Sequence, residues 1–306
     1  MKKLLYILPL LGLALNFSAT FAQNKLTDAT KYLREGNLDK AKELIDAADG
    51  DSLLSEKAST FYYKGYVYKE LFKEREADAV QSPYRVIAVE SFKKSIDMQP
   101  DGTFSESSRK NLKYLAETVY NHAATSLNTT DYEKAITNYR FYKEIMSNAY
   151  PNTNFQEKDI IFNLALATVY NKLVQRDSTE AESYYTKIID LYNEILDIDS
   201  NNVSANYNMG ILYYNQGVDI VNAMDYGLDL EQLNELQDRI VVLFKKSLPY
   251  MLKAYELDPK RRATLTGLQG IYFSLNDLEK SERYKKELEQ LDQEQGGSNS
   301  TDPGSD

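Results

Sequence analysis

The sequence predicts an all-α protein built from repeated helical hairpins, and three observations carry that prediction. Small and apolar residues recur at spacings of three and four, the period of a helix face. A large, small, aromatic order recurs along the chain, as Phe61, Gly65 and Tyr68 and again as Met209, Gly210 and Tyr213. Glycine also stands inside these helical patterns, where it costs about 0.5–1 kcal/mol relative to alanine. A second helix packed too close to admit a Cβ is the physical reason to keep it there.

The chain opens on Lys2 and Lys3, an apolar run from Leu4 to Leu15, and Ala19-Thr20-Phe21-Ala22, with small residues three and one before a cleavage point. That is the pattern of a secretory signal over residues 1–22, leaving Gln23 as the mature N-terminus. An uncleaved anchor is the rival reading, against which the apolar run is short. No Cys occurs anywhere in the chain, so a lipoprotein anchor is excluded chemically, as are disulfides and thiol catalysis. The expectation is an exported protein, in the style of a Gram-negative periplasm or secreted, with no membrane span left after cleavage.

Six hairpins follow. The first spans Leu26 to Ala48, with Ala29 and Tyr32 before a Gly36-Asn37-Leu38-Asp39 turn and Ala41, Ile45 and Ala48 after it. The second sets Phe61, Gly65 and Tyr68 against Ala88, Phe92, Ser95 and Pro100. The third sets Val119, Ala123 and Ser126 against Ala135, Tyr139 and Tyr142, across a polar turn from Asn128 to Asp131. The fourth sets Ile161, Leu164, Ala165 and Thr168 against Ile188, Tyr192 and Ile195. The fifth pairs Met209, Gly210 and Tyr213 with Ser247, Met251, Ala254 and Pro259, and Pro249 within its second helix predicts a kink or a break. The sixth, weaker unit runs Leu265, Leu268 and Tyr272, turns at Asn276-Asp277 and ends near Leu291. Residues 292–306 hold almost nothing to bury and read as a disordered polar tail.

Position by position, Phe61, Gly65, Tyr68, Ala88, Phe92 and Pro100, and Met209, Gly210, Tyr213, Gly217, Ala254 and Pro259, resemble the tetratricopeptide repeat. That resemblance covers nearly all of Leu26 to Leu291 and implies a solenoid over residues 23–291, of five to six hairpins wound as a right-handed superhelix. The small first-helix positions Ala29, Gly65, Ala123, Ala165 and Gly210 are 36, 58, 42 and 45 residues apart, whereas the family repeats every 34. The surplus falls at Glu70 to Arg85, Arg176 to Tyr184 and Val218 to Asp238, where it lengthens the paired helices or forms irregular loops. Gly65, Ala123, Ala165 and Gly210, with Ala88, Ala135 and Ala254 on the second helices, are the expected sites of close packing.

Catalysis has little to stand on. There is no phosphate loop, no Gly-x-Ser-x-Gly elbow and no dinucleotide fingerprint, and neither a cofactor nor a metal is expected. The single His122 reads as a packed or hydrogen-bonded residue. Asp197-Ile-Asp199-Ser-Asn201 looks like part of a calcium loop, but it lacks the sixth-position glycine and has Asn208 at the twelfth. A turn of Asx caps accounts for it. Cleavage of the signal removes Lys2 and Lys3 and moves the formal charge from −10 to −12, which opposes nucleic-acid binding.

What remains is the groove that stacked hairpins create. Three residues before the small position stand Tyr62, Tyr120, Phe162 and Tyr207, and two before it Tyr63, Asn121, Asn163 and Asn208. Aromatic rings give rigid contact area at low entropic cost, and asparagine both donates to and accepts from an extended peptide backbone. These columns point to a non-enzymatic scaffold or adaptor holding a protein or peptide partner. They also fit ordinary packing between neighbouring repeats. A carbohydrate-binding or nutrient-capture module of the cell envelope is the alternative, since tyrosine rings stack on sugars, although the absence of Trp weighs against it.

Overall fold

The computed structural model describes residues 25–176, 179–224, 227 and 229–297. The proposed signal and the last nine residues of the tail lie outside them. All regular structure among the described residues is helical. The helices are α1 (25–34), α2 (Leu38–Asp49), α3 (Ala58–Arg75), α4 (Pro83–Met98), α5 (Ser105–Thr125) and α6 (Tyr132–Ala149). They continue as α7 (Gln156–Arg176), α8 (Ala181–Ile198), α9 (Val203–Asn222), α10 (Leu230–Leu257), α11 (Arg262–Ser274) and α12 (Leu278–Gly297). Two compact units divide them, one ending at Phe155 and one beginning at Gln156. In the first, α3 packs on α4 and α5 on α6, with α2–α3 and α4–α5 joining successive hairpins. In the second, α7–α8, α9–α10 and α11–α12 are the hairpins, joined through α8–α9 and α10–α11. The fold is all-α and tetratricopeptide-like.

Local chemistry sets the hairpin ends. The short first and last hairpins close alike: Gly36 (φ 75°) and Asn276 (φ 59°) take the left-handed conformation. The next amide reaches back five residues, Asn37 to the Tyr32 carbonyl and Asp277 to that of Tyr272, both at 2.9 Å. This arrangement satisfies carbonyls that a helix end leaves open. Asn37 and Asp277 then cap the following helix, accepting from the amides of Lys40 and Lys280. Longer hairpins use Ser82 with Pro83 at the start of α4, Asn202 before α9, and a reciprocal Asp229–Gln232 capping box before α10.

The surplus residues lengthen helices more than loops. Val218–Asn222 extend α9 and Leu230–Asp238 extend α10, so this hairpin carries two tight layers, seven residues apart on each helix. A Cβ on Gly210 would lie 2.4 Å from Met251 Cγ, and one on Gly217 would lie 2.6 Å from Phe244 Cε1. Between the layers Ser247 Oγ, fully buried, donates to the Gly210 carbonyl at 2.6 Å. In the second hairpin a Cβ on Gly65 would meet the Phe92 ring at 2.8 Å, and Ser95 Oγ donates to the Ala58 carbonyl at 2.9 Å. The close approach inferred from glycine in a helix is therefore present at both sites. Ala88, Ala123, Ala135 and Ala254 are completely buried as well.

Three expectations need correction. Helix α10 runs unbroken through the exposed Pro249, so of the kink or break expected there the break does not occur; the packing of a 28-residue helix on either side holds one lost hydrogen bond in register. Helix α12 continues to Gly297, beyond the end expected near Leu291. Lys260 pairs with Glu294, and Arg262 with Asp292, across its last turns. The packing register of α7 is shifted: Ala165 is only half-buried, Ile161 and Thr168 are exposed, and Ala167 is the fully buried small residue, with Tyr170 three places on. Two alanines two residues apart serve a small-residue pattern equally well, and burial of Phe162, Asn163 and Leu166 on the hairpin side selects the second.

Candidate functional site

The open concavity of the first unit lies between α1 and α3. Thr30, Leu33 and Arg34 occupy one face of α1 at the i, i+3, i+4 spacing, and Tyr62, Tyr66, Glu70 and Lys73 form a stripe along α3, with Tyr63 and Glu74 beside it. Together they enclose about 790 Å3.

The tyrosines are held from behind. The Tyr62 ring stacks on Phe104 at 4.7 Å between centroids, and its hydroxyl shares a 3.0 Å hydrogen bond with Ser107 Oγ. Tyr63 meets the same Phe104 edge-on at 5.8 Å. Tyr66 carries the ammonium of the buried Lys69 over its ring at 3.9 Å, and that ammonium also donates to Asn111 Oδ1 at 2.8 Å. Each ring is thus fixed before anything binds, which lowers the entropic cost of using it as a contact.

Charge gathers at the far end of the groove. Lys73 donates to Glu70 at 2.7 Å, and that hydrogen bond raises the lysine pKa. Burial opposes ionisation of Glu70, but Lys73 and Lys69 outweigh it and hold the carboxyl below its usual range. Glu74 pairs with Arg75. Arg34, exposed at the rim, makes no ion pair among the described residues and is the groove's uncommitted cation.

The sequence-derived columns are dispersed by the fold. Tyr62 and Tyr63 line this groove. Tyr120 turns onto Tyr139 and Tyr142, at 6.1 and 5.1 Å between centroids, while Asn121 is exposed. Phe162 and Asn163 are buried, and Asn163 donates to Glu194 at 2.8 Å, as the shifted α7 register requires. Tyr207 lies under the Arg261 guanidinium at 4.0 Å and packs against the core of the last hairpins. Asn208 reaches the hydroxyl of Tyr192, whose burial pushes its pKa up to about 12. Sequence reasoning missed Tyr66, Thr30, Leu33 and Arg34. The Tyr62–Tyr66–Glu70 stripe at four-residue spacing was the available signal for the first of these.

His122 is engaged in structure. Its Nδ1 lies 2.9 Å from Nη1 of the buried Arg85, which has only donors, so Nδ1 accepts and the ring is neutral. Burial and then the Arg85 charge lower the His122 pKa, against a smaller opposing pull from Asp78. Burial likewise lowers the Arg85 pKa, to about 10. The Asp199 turn is a local one, its carboxylate accepting from the Asn201 amide at 3.0 Å.

No protein-family model matches the chain, and no curated protein does. Among solved structures, a TPR repeats protein from Bacteroides fragilis is 16% identical, with 82% of this chain and 98% of that one covered and a TM-score of 0.46. The MamA protein is 10% identical over 76% of this chain and 94% of its own, with a TM-score of 0.35. The TPR2AB domain of yeast Sti1, solved in its pHSP90 complex, is 11% identical over 92% and 95%, with a TM-score of 0.30. The likeness is one of helical-repeat fold, and the tetratricopeptide-like assignment stands on the hairpins themselves. No helix among the described residues is long and apolar enough to cross a membrane.

Proposed function

We propose that this chain is a non-enzymatic binding scaffold that holds an extended protein segment in the tyrosine-lined groove of its first unit. The observation that carries the reading is the set of three pre-positioned rings, Tyr62, Tyr63 and Tyr66, facing an open concavity beside Arg34, which makes no ion pair among the described residues. Rings held by Phe104 and Lys69 offer apolar area with hydroxyls at the edge, and an extended chain needs both kinds of contact. Several perturbed groups elsewhere are accounted for by structural hydrogen bonds, which is the less demanding explanation of a shifted pKa.

The reading is tested by selecting peptides from a displayed random library on the full-length protein and measuring the enriched sequences against Tyr66→Ala and Arg34→Glu. Loss of affinity in both variants, with unchanged circular dichroism, supports the groove. Enriched peptides that bind both variants as well as the parent remove it from the account. Saturable binding on a glycan array, with no peptide enriched, would replace it by carbohydrate capture.

The same reading has the chain working outside the cytoplasm after loss of residues 1–22. N-terminal sequencing of the protein purified from its own cell envelope should begin at Gln23, and a start at Met1 would end that part of the proposal.

A further inference from the structure

A second surface, in the other unit, is independent of the groove reading. Beyond the layer of Gly217 and Phe244 the α9–α10 hairpin continues; Tyr185 of α8 donates to Asp219 at 3.2 Å and Ser274 of α11 stands at the edge of the concavity, while the rest of the tip, among the described residues, is left unburied. From Val218 through the end of α9 to Met224 no residue is buried, and in α10 none is buried before Ile240. These turns are nevertheless rich in apolar side chains. Val218, Val221, Leu230, Leu233, Ile240 and Phe244 line a concavity of about 600 Å3. Leu230 is 76% exposed and Val221 47% exposed. Ten or so residues of helix are marginal alone and normally persist by burying an apolar face, and this one has its face open.

The charge around the concavity identifies what covers it. Residues 219–238 contain six acidic side chains and no Lys or Arg. Of these, Glu231, Glu235 and Asp238 on α10 are exposed and make no ion pair among the described residues. An acidic rim around an apolar channel suits a helix with an apolar stripe and a cationic flank. A second copy of this chain would bring acid against acid, and an anionic lipid surface would be repelled in the same way. We infer that the extended tip of the α9–α10 hairpin is a docking site for a cationic amphipathic helix of a partner protein.

The test uses the full-length protein and a fluorescent amphipathic helical peptide made only of Leu and Lys, with its Leu and Glu counterpart as control. Anisotropy should report saturable binding of the first and none of the second. The Glu231→Lys/Glu235→Lys variant should weaken binding by about tenfold or more, and Val221→Ser/Leu230→Ser should weaken it too. The same charge change placed at the far end of α12, Glu289→Lys/Glu294→Lys, about 15 Å or more along the helix from its start near Ser274, should leave it within about twofold, as expected for charges more than a screening length away. Tyr66→Ala in the first unit should leave it unchanged, so failure here and failure of the groove are distinguishable. The inference is overturned if the cationic peptide does not bind, or if the α12 variant weakens it as much as the tip variant. It is equally overturned if the protein instead self-associates in a way that Val221→Ser/Leu230→Ser abolishes, or if it binds phosphatidylserine vesicles while ignoring the peptide.

Discussion

Gly210→Ala isolates the contact around which the second unit is assembled. The Met251 side chain, wholly buried, passes between two glycines. Its Cγ lies 2.4 Å from where a Cβ on Gly210 would stand, and its Cε lies 2.0 Å from the equivalent point on Gly267 of α11. The methionine tip could swing, but its amide nitrogen is also only 3.2 Å from that Gly210 position, so α10 itself must give way. Such overpacking costs about 1–3 kcal/mol. Loosening the 2.6 Å bond from Ser247 to the Gly210 carbonyl adds about 0.5–1.5 kcal/mol. Alanine in place of glycine returns about 0.8–1 kcal/mol of helix propensity. The net expectation is a loss of about 0.5–3.7 kcal/mol, and more for Gly210→Val. Urea unfolding followed by far-ultraviolet circular dichroism gives the value, with the two units fitted as separate transitions if they unfold apart. Met251→Ala on its own should cost about 2–5 kcal/mol, and combined with Gly210→Ala it should cost clearly less than the sum, because the vacated space admits the new methyl. A Gly210→Ala variant at least as stable as the parent would refute the close approach, since propensity alone would then be deciding the outcome.

Further outcomes follow from other parts of the chain. Ser95→Ala and Ser247→Ala should each lose about 0.5–1.5 kcal/mol in the same unfolding assay, as each removes a buried hydroxyl donor to a carbonyl of the facing helix. The α7 register predicts that Ile161→Ser changes stability by no more than about 0.5 kcal/mol, while Ala167→Leu costs about 1–3 kcal/mol; the reverse order would restore Ala165 as the packing position. His122 has a folded pKa below its unfolded value, so the folded state binds fewer protons. Its contribution is fully present above an unfolded pKa of about 6.5 and is lost as pH falls below that. Melting temperature should therefore drop between about pH 7 and pH 5, and part of that drop should vanish in His122→Asn, which keeps an acceptor for Arg85 without a titrating ring.

Much of the hairpin architecture was legible because it is written in local patterns. Gly36-Asn37-Leu38 and Asn276-Asp277 mark turns by their own backbone preferences, and Gly65 and Gly210 mark close approach because only a missing Cβ justifies glycine inside a helix. The limits of that legibility are equally physical. Ala165 and Ala167 are indistinguishable to a pattern that asks only for a small residue, and a two-residue slip rotates a helix face by more than half a turn. Phe162 and Asn163 consequently moved from an expected open face to the interior.

The candidate site divides the same way. Spacing alone placed Tyr62 and Tyr63 on the first helix of the second hairpin, but Tyr120, Tyr207 and Asn208 have partners in neighbouring helices that no local spacing encodes. Arg34 joins the groove because α1 packs beside α3, a meeting of residues about thirty positions apart in the chain. By itself the sequence determined the helices, their turns and the close contacts that glycine marks at Gly65 and Gly210, since these depend on backbone preference and side-chain size within a few residues. Tertiary structure alone decided which tyrosines stay open and which apolar turns of α9 and α10 remain uncovered, because exposure depends on what the rest of the fold brings alongside.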